Sequence, residues 1–160
     1  MSWSHYIGPI VGLSFLILVI LGVFYLPIPK NQTLLLNSKL TSWKDLLVME
    51  SKCRKILEEF YNVEFNKIRP PFLRNPETNK NLELDGYNAQ LKIAFEYNGS
   101  QHYFYNPHFH KNIDAFNDQV KKDKLKVELC KKNNIHLIVI PYHLRENELS
   151  AFIHKNLPVK

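Results

Sequence analysis

Cysteine is scarce in this chain of 160 residues, which contains only Cys53 and Cys130. No Cys-x-x-Cys pair is present, so a zinc site built from four cysteines is excluded. Each cysteine falls on the apolar side of a predicted helix, where a buried free thiol is the ordinary interpretation. Two isolated cysteines also agree with a reducing compartment.

Charged side chains are absent from the first 29 residues. Within that part, residues 6–26 form an almost unbroken apolar run, and about 20 helical residues span the hydrocarbon core of a bilayer. No basic residue precedes the run, and the Leu-Pro-Ile-Pro-Lys sequence that ends at residue 30 lacks the small residues of a signal-peptide cleavage site. The pattern therefore predicts an uncleaved transmembrane helix within residues 1–30.

Lysines follow the apolar run, at Lys30, Lys39 and Lys44, whereas a histidine is the only titratable basic side chain before it. The positive-inside tendency predicts a single-pass membrane protein whose C-terminal domain lies in the cytosol. Residues 31–41 have no clear period and predict a linker. Residues 42–160 are long enough for one domain with a hydrophobic core of its own.

The surplus of positive charge is mild. The chain carries a formal net charge of +6 at pH 7, and much of it comes from residues 121–126 and from Lys131 and Lys132. Such runs are usually solvated helix faces. The charge is therefore compatible with a nucleic-acid groove but does not by itself predict one.

Hydrophobic periodicity predicts an α/β domain with a mixed sheet flanked by helices. The first helix begins at Ser42 and carries an apolar stripe of Leu46, Cys53, Leu57 and Phe60. The other predicted elements are a hairpin of residues 82–87 and 91–97, a helix over residues 113–132, a strand over residues 135–140 and a helix over residues 146–155. In the second helix the stripe predicts burial of Phe116, Val120 and Val127.

Two carboxylates lie in the predicted hairpin at positions where a half-buried strand disfavours them. In the second strand every other residue is a large apolar one, and these residues share one face: Leu91, Ile93, Phe95 and Tyr97. This alternation leaves Glu96 on the other face, and Asp85 lies in the neighbouring strand. Two acidic groups on adjacent strands, close to a Gly-Ser-Gln-His turn, are typical of a small oxygen-ligand site for Mg²⁺. The pattern predicts a metal-dependent phosphodiesterase.

The pattern Asp85, Glu96-x-Asn98-Gly99-x-Gln101-His102 resembles the restriction-endonuclease-like PD-(D/E)xK superfamily. It is most similar to the branch that contains the very-short-patch-repair endonucleases, and the resemblance covers about residues 50–142. The resemblance implies a restriction-endonuclease-like core of element order αβββαβ. It also implies that Asp85 and Glu96 bind Mg²⁺ or Mn²⁺ and that the domain hydrolyses phosphodiester bonds in DNA.

One departure from this family concerns its usual lysine, which Asn98 replaces. Histidine is the side chain best suited to proton transfer, so His102 is the candidate for moving protons, whereas Asn98 and Gln101 are candidates for orienting water or phosphate. Lys124 is a further candidate for the activating group. Glu50 lies on the inward stripe of the first helix, where a carboxylate is costly unless it is paired or bound. The resemblance makes Glu50 a third acidic residue at the edge of the metal site.

Other interpretations stay open. The histidines of the loop after the hairpin, His102, His108 and His110, are candidate Zn²⁺ ligands. The aromatic residues of that loop, Tyr103, Phe104, Tyr105 and Phe109, are candidates for stacking on nucleic-acid bases. Basic side chains that are candidates for phosphate contacts are Arg69, Arg74, Lys122 and Lys124. The replacement at Asn98 also allows an inactive domain that binds nucleic acid or tethers it to a membrane.

Overall fold

The computed structural model describes residues 43–158, which contain three α-helices and four β-strands. In chain order these are α1 (Trp43–Tyr61), β1 (Asn66–Ile68), β2 (Leu84–Asn88), β3 (Ile93–Asn98), α2 (Ile113–Lys132), β4 (His136–Pro141) and α3 (Glu146–Lys155). The predicted transmembrane helix and linker, residues 1–41, lie outside the described residues. Within residues 43–158 no helix is long and apolar enough to cross a membrane.

The four strands form one sheet in the order β1-β2-β3-β4. β2 is antiparallel to both of its neighbours, whereas β4 is parallel to β3. A parallel pair needs a long crossover connection, and α2 supplies it between β3 and β4. The predicted α/β domain with a mixed sheet flanked by helices is therefore confirmed.

The strand β3 is buried on both faces of the sheet. Ile93, Phe95 and Tyr97 pack with α1 and α3 in one hydrophobic cluster. On the opposite face Ala94 packs with a second cluster that includes Cys130 of α2. A strand covered on both sides offers little solvent to a carboxylate, and this burial determines the environment of Glu96.

Gly86 lies inside β2, opposite Phe95 of β3, rather than in a turn. A Cβ atom at this position would be 2.1 Å from Cε1 of the Phe95 ring. The ring therefore lies directly over the glycine, and any larger residue would displace it. Gly86 therefore allows the Phe95 ring to pack closely over β2, next to Asp85.

Three predicted core residues lie at or near the surface. Phe60 is 50% exposed and packs its ring edge-on against Tyr61, and Val127 is 38% exposed on α2. Leu91 lies in the turn before β3 rather than in the strand. Hydrophobic periodicity did not predict the strand β1, because its three residues are all exposed and carry no alternation, although the element order αβββαβ that the resemblance implies includes a third strand there.

The helix α2 has the bounds that its sequence predicts, because polar residues define both ends. At the start, the side chain of Asn112 accepts a hydrogen bond of 2.9 Å from the N–H of Ala115. At the end, Asn134 adopts a left-handed φ of 56°, which asparagine tolerates, and the N–H of Ile135 donates to the carbonyl of Cys130. These two caps fix the helix that crosses one face of the sheet.

Candidate active site

The two predicted metal ligands meet where the backbone pairing of β2 and β3 ends. The last paired residues are Gly86 and Phe95. Beyond this pair, hydrogen bonds to side chains connect the two strands. The N–H of Tyr97 donates to Asp85 Oδ2 at 2.9 Å. The N–H of Asp85 in turn faces Glu96 Oε1 at 3.3 Å. Both carboxylates are therefore held by the opposite strand.

Glu96 is only 5% exposed, and Lys126 of α2 places its Nζ 2.5 Å from Glu96 Oε2. Burial raises the pKa of Glu96 to about 7 even though the Lys126 ammonium acts in the opposite direction, and Asp85 adds to the rise. The positive charge around Glu96 therefore does not fully compensate for its removal from water. A further cation would stabilise the ionised carboxylate.

Asp85 is also poorly solvated. Burial raises the pKa of its carboxyl group, although the hydrogen bond from the N–H of Tyr97 and the charges of Lys67 and Lys126 oppose this rise. Lys67 lies on β1, and its Nζ is 3.6 Å from Asp85 Oδ1. Asp85 and Glu96 are thus two carboxylates for which ionisation is costly in the absence of another positive charge.

Glu50 of α1 reaches the same region but contacts cations there. Its Oε2 lies 2.8 Å from Lys67 Nζ, and its Oε1 lies 2.8 Å from a guanidinium nitrogen of Arg54. Arg54 also donates to the backbone carbonyl of Asp85. Burial lowers the pKa of Lys67, but the hydrogen bond to Glu50 and the charges of the nearby carboxylates outweigh it and raise the pKa. Glu50 is therefore connected to Asp85 through Lys67.

Each of the two carboxylates has one oxygen atom with no close hydrogen-bond donor among the described residues, and carboxylate oxygens are the kind of ligand that Mg²⁺ and Mn²⁺ use. Within the described part of the chain no hydrogen bond reaches Asp85 Oδ1, and Glu96 Oε1 receives only the 3.3 Å contact from Asp85. Mg²⁺ commonly uses one or two protein carboxylates and completes its coordination with water and phosphate. In residues 43–158 no group of three or more His, Cys, Asp or Glu side chains is placed to hold a metal ion. The candidate ligand set is therefore limited to the carboxylates of Asp85 and Glu96.

A polar row on α2 faces the carboxylates. Gln119, Asp123 and Lys126 are separated by four and three residues, so they share one side of the helix. Asp123 Oδ2 is 2.7 Å from His102 Nδ1, and the amide nitrogen of Gln119 donates to Asp123 Oδ1 at 2.9 Å. The His102 side chain is mostly buried, and its ring is oriented by a carboxylate, as is usual for histidines that transfer protons.

Several of these residues were not predicted from the sequence. Lys126 and Asp123 fall on one helical stripe with the fully buried Cys130, and a polar residue on an inward stripe was a usable signal. Lys67 had no such signal, since β1 is short and exposed. Lys124, which was predicted as a candidate activating group, is exposed on α2.

The two predicted orienting residues lie at the end of β3. Asn98 is half-buried and shares a strand face with Glu96. Gln101 is 9% exposed and lies against Gly99 and α1: a Cβ atom at Gly99 would be 2.3 Å from Gln101 Oε1 and 2.5 Å from Leu46 Cδ2. Among the described residues, Gln101 Oε1 is one of the buried side-chain atoms without a hydrogen-bond partner.

The three histidines that were candidate zinc ligands have different surroundings. His102 contacts Asp123, as described above. His110 is buried, and its Nδ1 accepts a hydrogen bond of 3.2 Å from the N–H of Asn106. His108 is exposed, and its ring packs edge-on against Phe109. The structure does not bring the three imidazoles together as a ligand set.

Some of the aromatic candidates for base stacking pack against other rings, and some are exposed to solvent. Tyr103 and Phe104 both contact the ring of Tyr142, and Phe109 packs edge-on against Trp43. Phe104 and Tyr105 are each 42% exposed. The loop thus keeps aromatic surface available near His102 while most of its rings contact the protein.

The basic candidates lie in two places. Arg69 and Arg74 are on the loop between β1 and β2, and the Nε of Arg69 is 3.0 Å from Glu83 Oε2. Lys122 and Lys124 are exposed on α2.

Comparison with known proteins gives three relatives and no function. No protein-family model matches this chain, and no solved structure matches it. The chain is 46% identical over 112 residues to uncharacterized protein 307L of Invertebrate iridescent virus 6, covering 61% of this chain and 57% of that protein. It is 42% identical over 108 residues to uncharacterized protein 033L of Invertebrate iridescent virus 3, covering 68% of this chain and 56% of that protein.

The third relative is uncharacterized protein 094L of Frog virus 3 (isolate Goorha), which is 39% identical over 100 residues. That match covers 62% of this chain and 64% of the viral protein. The chain therefore spans less than two thirds of the length of each of these relatives.

Proposed function

We propose that this chain is a metal-dependent endonuclease that hydrolyses phosphodiester bonds in DNA with Mg²⁺ or Mn²⁺. The observation that carries the proposal is the meeting of the half-buried Asp85 and the buried Glu96 at the end of the β2–β3 pairing. The element order from α1 to β4 supports it, because it equals the order that the resemblance to restriction-endonuclease-like proteins implies.

In this mechanism Asp85 and Glu96 would hold the ion through their carboxylate oxygens. A bound divalent ion lowers the pKa of a water ligand and neutralises charge on the phosphoryl oxygens. Lys126 takes the part of the lysine that Asn98 replaces: its ammonium lies at Glu96 and stabilises negative charge on the attacked phosphate. Desolvation strengthens this interaction because the Lys126 side chain is only 13% exposed.

Proton transfer in this mechanism belongs to His102. Asp123 contacts Nδ1 of the imidazole and so fixes the orientation of the ring. The direction of Nε2 is fixed with it. A histidine held in this way takes a proton from the attacking water or gives one to the leaving oxygen. Asn98 shares the face of Glu96 and orients water there, whereas Gln101 supports the turn that carries His102.

We expect Glu50 to act at the edge of the site through Lys67 rather than as a metal ligand, because both of its carboxylate oxygens already contact cations. The predicted partners are DNA and, through residues 1–30, a membrane. The cytosolic orientation of the domain stays a prediction from the lysines that follow the apolar run.

A cleavage assay tests the proposal. The full chain, purified in mild detergent, is incubated with supercoiled plasmid and with labelled DNA and RNA duplexes in Mg²⁺, Mn²⁺ or chelator. We expect metal-dependent nicking that Glu96→Gln abolishes and that Glu128→Gln, a matched change on the exposed side of α2, leaves intact. Circular dichroism of each variant checks the fold. Equal nicking by the Glu96→Gln protein would refute the assignment.

One observation favours a second function, an inactive domain that binds nucleic acid. Three side-chain cations already contact the three carboxylates of the site. Arg54 contacts Glu50, Lys67 contacts Asp85, and Lys126 contacts Glu96. This equal number of cations and carboxylates reduces the need for a metal ion, even though it does not fully offset the burial of Glu96. An inactive domain would bind DNA in chelator with salt-sensitive affinity and would bind Mn²⁺ weakly.

A further inference from the structure

The loop between β1 and β2 forms a shallow groove beside the candidate active site. The groove is lined by Arg69, Arg74, Asn79, Lys80 and Asn81. Three of these side chains are cationic and two are amides, so the lining contains hydrogen-bond donors and no carboxylate. This chemistry suits an anion with several oxygen atoms, such as a phosphate group.

Hydrogen bonds fix the backbone that carries these cations. Asn75 is 5% exposed, and its side-chain oxygen accepts from the N–H groups of Glu77 and Thr78 at 2.8 and 3.3 Å. The N–H of Asn75 also donates to the carbonyl of Lys80, and the N–H of Asn79 donates to the carbonyl of Asn75. A loop ordered in this way loses little conformational entropy when it binds a ligand.

A chain of ion pairs connects the groove to the carboxylate pair. Arg69 contacts Glu83 Oε2 at 3.0 Å, and Lys67 lies 3.6 Å from Glu83 Oε1 and 3.6 Å from Asp85 Oδ1. The groove is thus separated from Asp85 by two side chains. Phosphates of one strand follow each other at about 3.4 Å along a duplex axis. A strand bound at Asp85 carries a phosphate at every nucleotide, so it presents further phosphates to the surface beside Asp85, where the groove lies.

The cations furthest from Asp85 in this groove remain available for a ligand. Within residues 43–158 no ion pair reaches Arg74 or Lys80, and Glu83, the nearby acid, is shared by Lys67 and Arg69. Guanidinium groups bind phosphate oxygens in a bidentate manner, whereas an ammonium acts as a point charge. Arg74 with Lys80 thus offers both modes of contact to a phosphodiester backbone.

We propose that this groove binds the backbone phosphates of the strand that is cut, on the side of the scissile phosphate next to β1. The proposal rests on the proposed function for the identity of the strand, but it concerns binding and requires no cleavage. The ligand chemistry is a phosphodiester backbone, which DNA and RNA share.

Equilibrium binding in chelator tests the groove apart from catalysis. Fluorescence anisotropy follows the full chain in mild detergent with labelled single-stranded DNA, duplex DNA and single-stranded RNA of one length and sequence. The test variant is Arg74→Gln with Lys80→Gln. The control, Lys131→Gln with Lys132→Gln, removes the same charge from the exposed end of α2.

We expect the groove variant to bind roughly tenfold or more weakly, and the slope of log affinity against log salt to fall by about 1.5 to 2. The control should remain within about twofold of the unaltered chain, because its lysines lie outside the groove. The exchange Arg74→Lys with Lys80→Arg should restore binding. The DNA and RNA arms identify which nucleic acid the groove prefers.

Equal weakening of both charge variants, or no binding of any of the nucleic acids, would overturn the proposal. Groove-dependent binding by a chain that cleaves nothing in Mg²⁺ or Mn²⁺ would support the groove and reject the proposed endonuclease activity. Cleavage that the groove variant performs with unchanged affinity would reject the groove and retain the endonuclease.

Discussion

The helices α1 and α2 both cover the sheet, but they do so with different side chains. α1 buries Leu46, Met49, Cys53 and Leu57 against the sheet, whereas Cys130 is the only fully buried residue of α2. In place of an apolar stripe α2 directs Gln119, Asp123 and Lys126 toward the strand ends. One helix therefore supplies most of the packing energy, and the other supplies most of the candidate chemistry.

Two polar residues of α1 are an exception to this difference, and they lie at the candidate site. Glu50 and Arg54 are polar residues of α1, and both contact groups around Asp85. The polar parts of the two helices thus converge on the two carboxylates from opposite faces of the sheet. A stability change should follow substitutions in the apolar part of α1, and an activity change should follow substitutions in the polar row of α2.

The largest expected effect is a loss of stability at Leu57. Leu57→Ala removes a fully buried side chain and should lower the free energy of unfolding by about 2–5 kcal/mol. Leu125→Ala on α2 is the matched change, and because Leu125 is half-buried its cost should be at most about half as large. Urea denaturation followed by circular dichroism measures both. An equal loss of unfolding free energy in the two variants would contradict the proposed difference between the helices.

The next effect is a loss of cleavage at Lys126. Lys126→Gln removes the ammonium beside Glu96 and should lower kcat by about 100- to 1,000-fold. Lys121→Gln on the exposed side of the same helix should leave kcat nearly unchanged. Initial rates of plasmid nicking at saturating DNA measure both variants. A normal rate for the Lys126 variant would exclude this lysine from the reaction.

A pH effect on stability should follow from Glu96. Its pKa is about 7 in the folded protein and 4.5 for an ordinary glutamate, so the folded state binds more protons than the unfolded state between these values. The free energy of unfolding should therefore fall as the pH rises from about 4.5 to about 7, by at most roughly 3 kcal/mol. Denaturation across this range, compared with Glu96→Gln, isolates the contribution.

Divalent ions should reverse this trend. In the proposed site Mg²⁺ would bind the ionised carboxylates, so its stabilising effect should be larger above the pKa of Glu96 than below it. The Glu96→Gln protein should show a smaller pH-dependent fall, to which Asp85 still contributes, and a smaller gain with Mg²⁺. A variant that keeps the full slope would assign the titration to another group.

The smallest predicted effect concerns the orientation of His102. Asp123→Asn replaces the carboxylate that contacts Nδ1 and should lower kcat by roughly tenfold with little change in KM. Asp118→Asn is the matched control, because Asp118 is exposed on the same helix. Single-turnover cleavage separates the chemical step from product release. An equal change in KM would indicate a role of Asp123 in DNA binding.

Sequence periodicity was sufficient for the elements that bury an apolar stripe or carry clear caps. The bounds of α2 and α3 agree with the predicted residues 113–132 and 146–155. The proximity of Asp85 and Glu96 followed from their positions on adjacent strands of one hairpin. These features depend on contacts between residues that are close in sequence, which local patterns encode.

The features that the sequence did not reveal depend on tertiary contacts. Lys126 meets Glu96 across 30 residues of chain. Helical spacing places Lys126 on the stripe of the buried Cys130, but it does not identify Glu96 as the partner of this lysine. Lys67 lies in a strand of three exposed residues that has no alternation. Phe60 lies on the predicted stripe of α1, but its side chain is 50% exposed and its ring contacts Tyr61 and His154 rather than the sheet.

The central claim is that Asp85 and Glu96 together bind a divalent ion, and a Mn²⁺ titration followed by electron paramagnetic resonance tests it most directly. The full chain should bind Mn²⁺ at one site that competes with Mg²⁺, and Glu96→Gln should weaken this binding roughly tenfold or more. Glu128→Gln should bind like the unaltered chain. Unchanged Mn²⁺ binding by the Glu96→Gln protein would contradict the account.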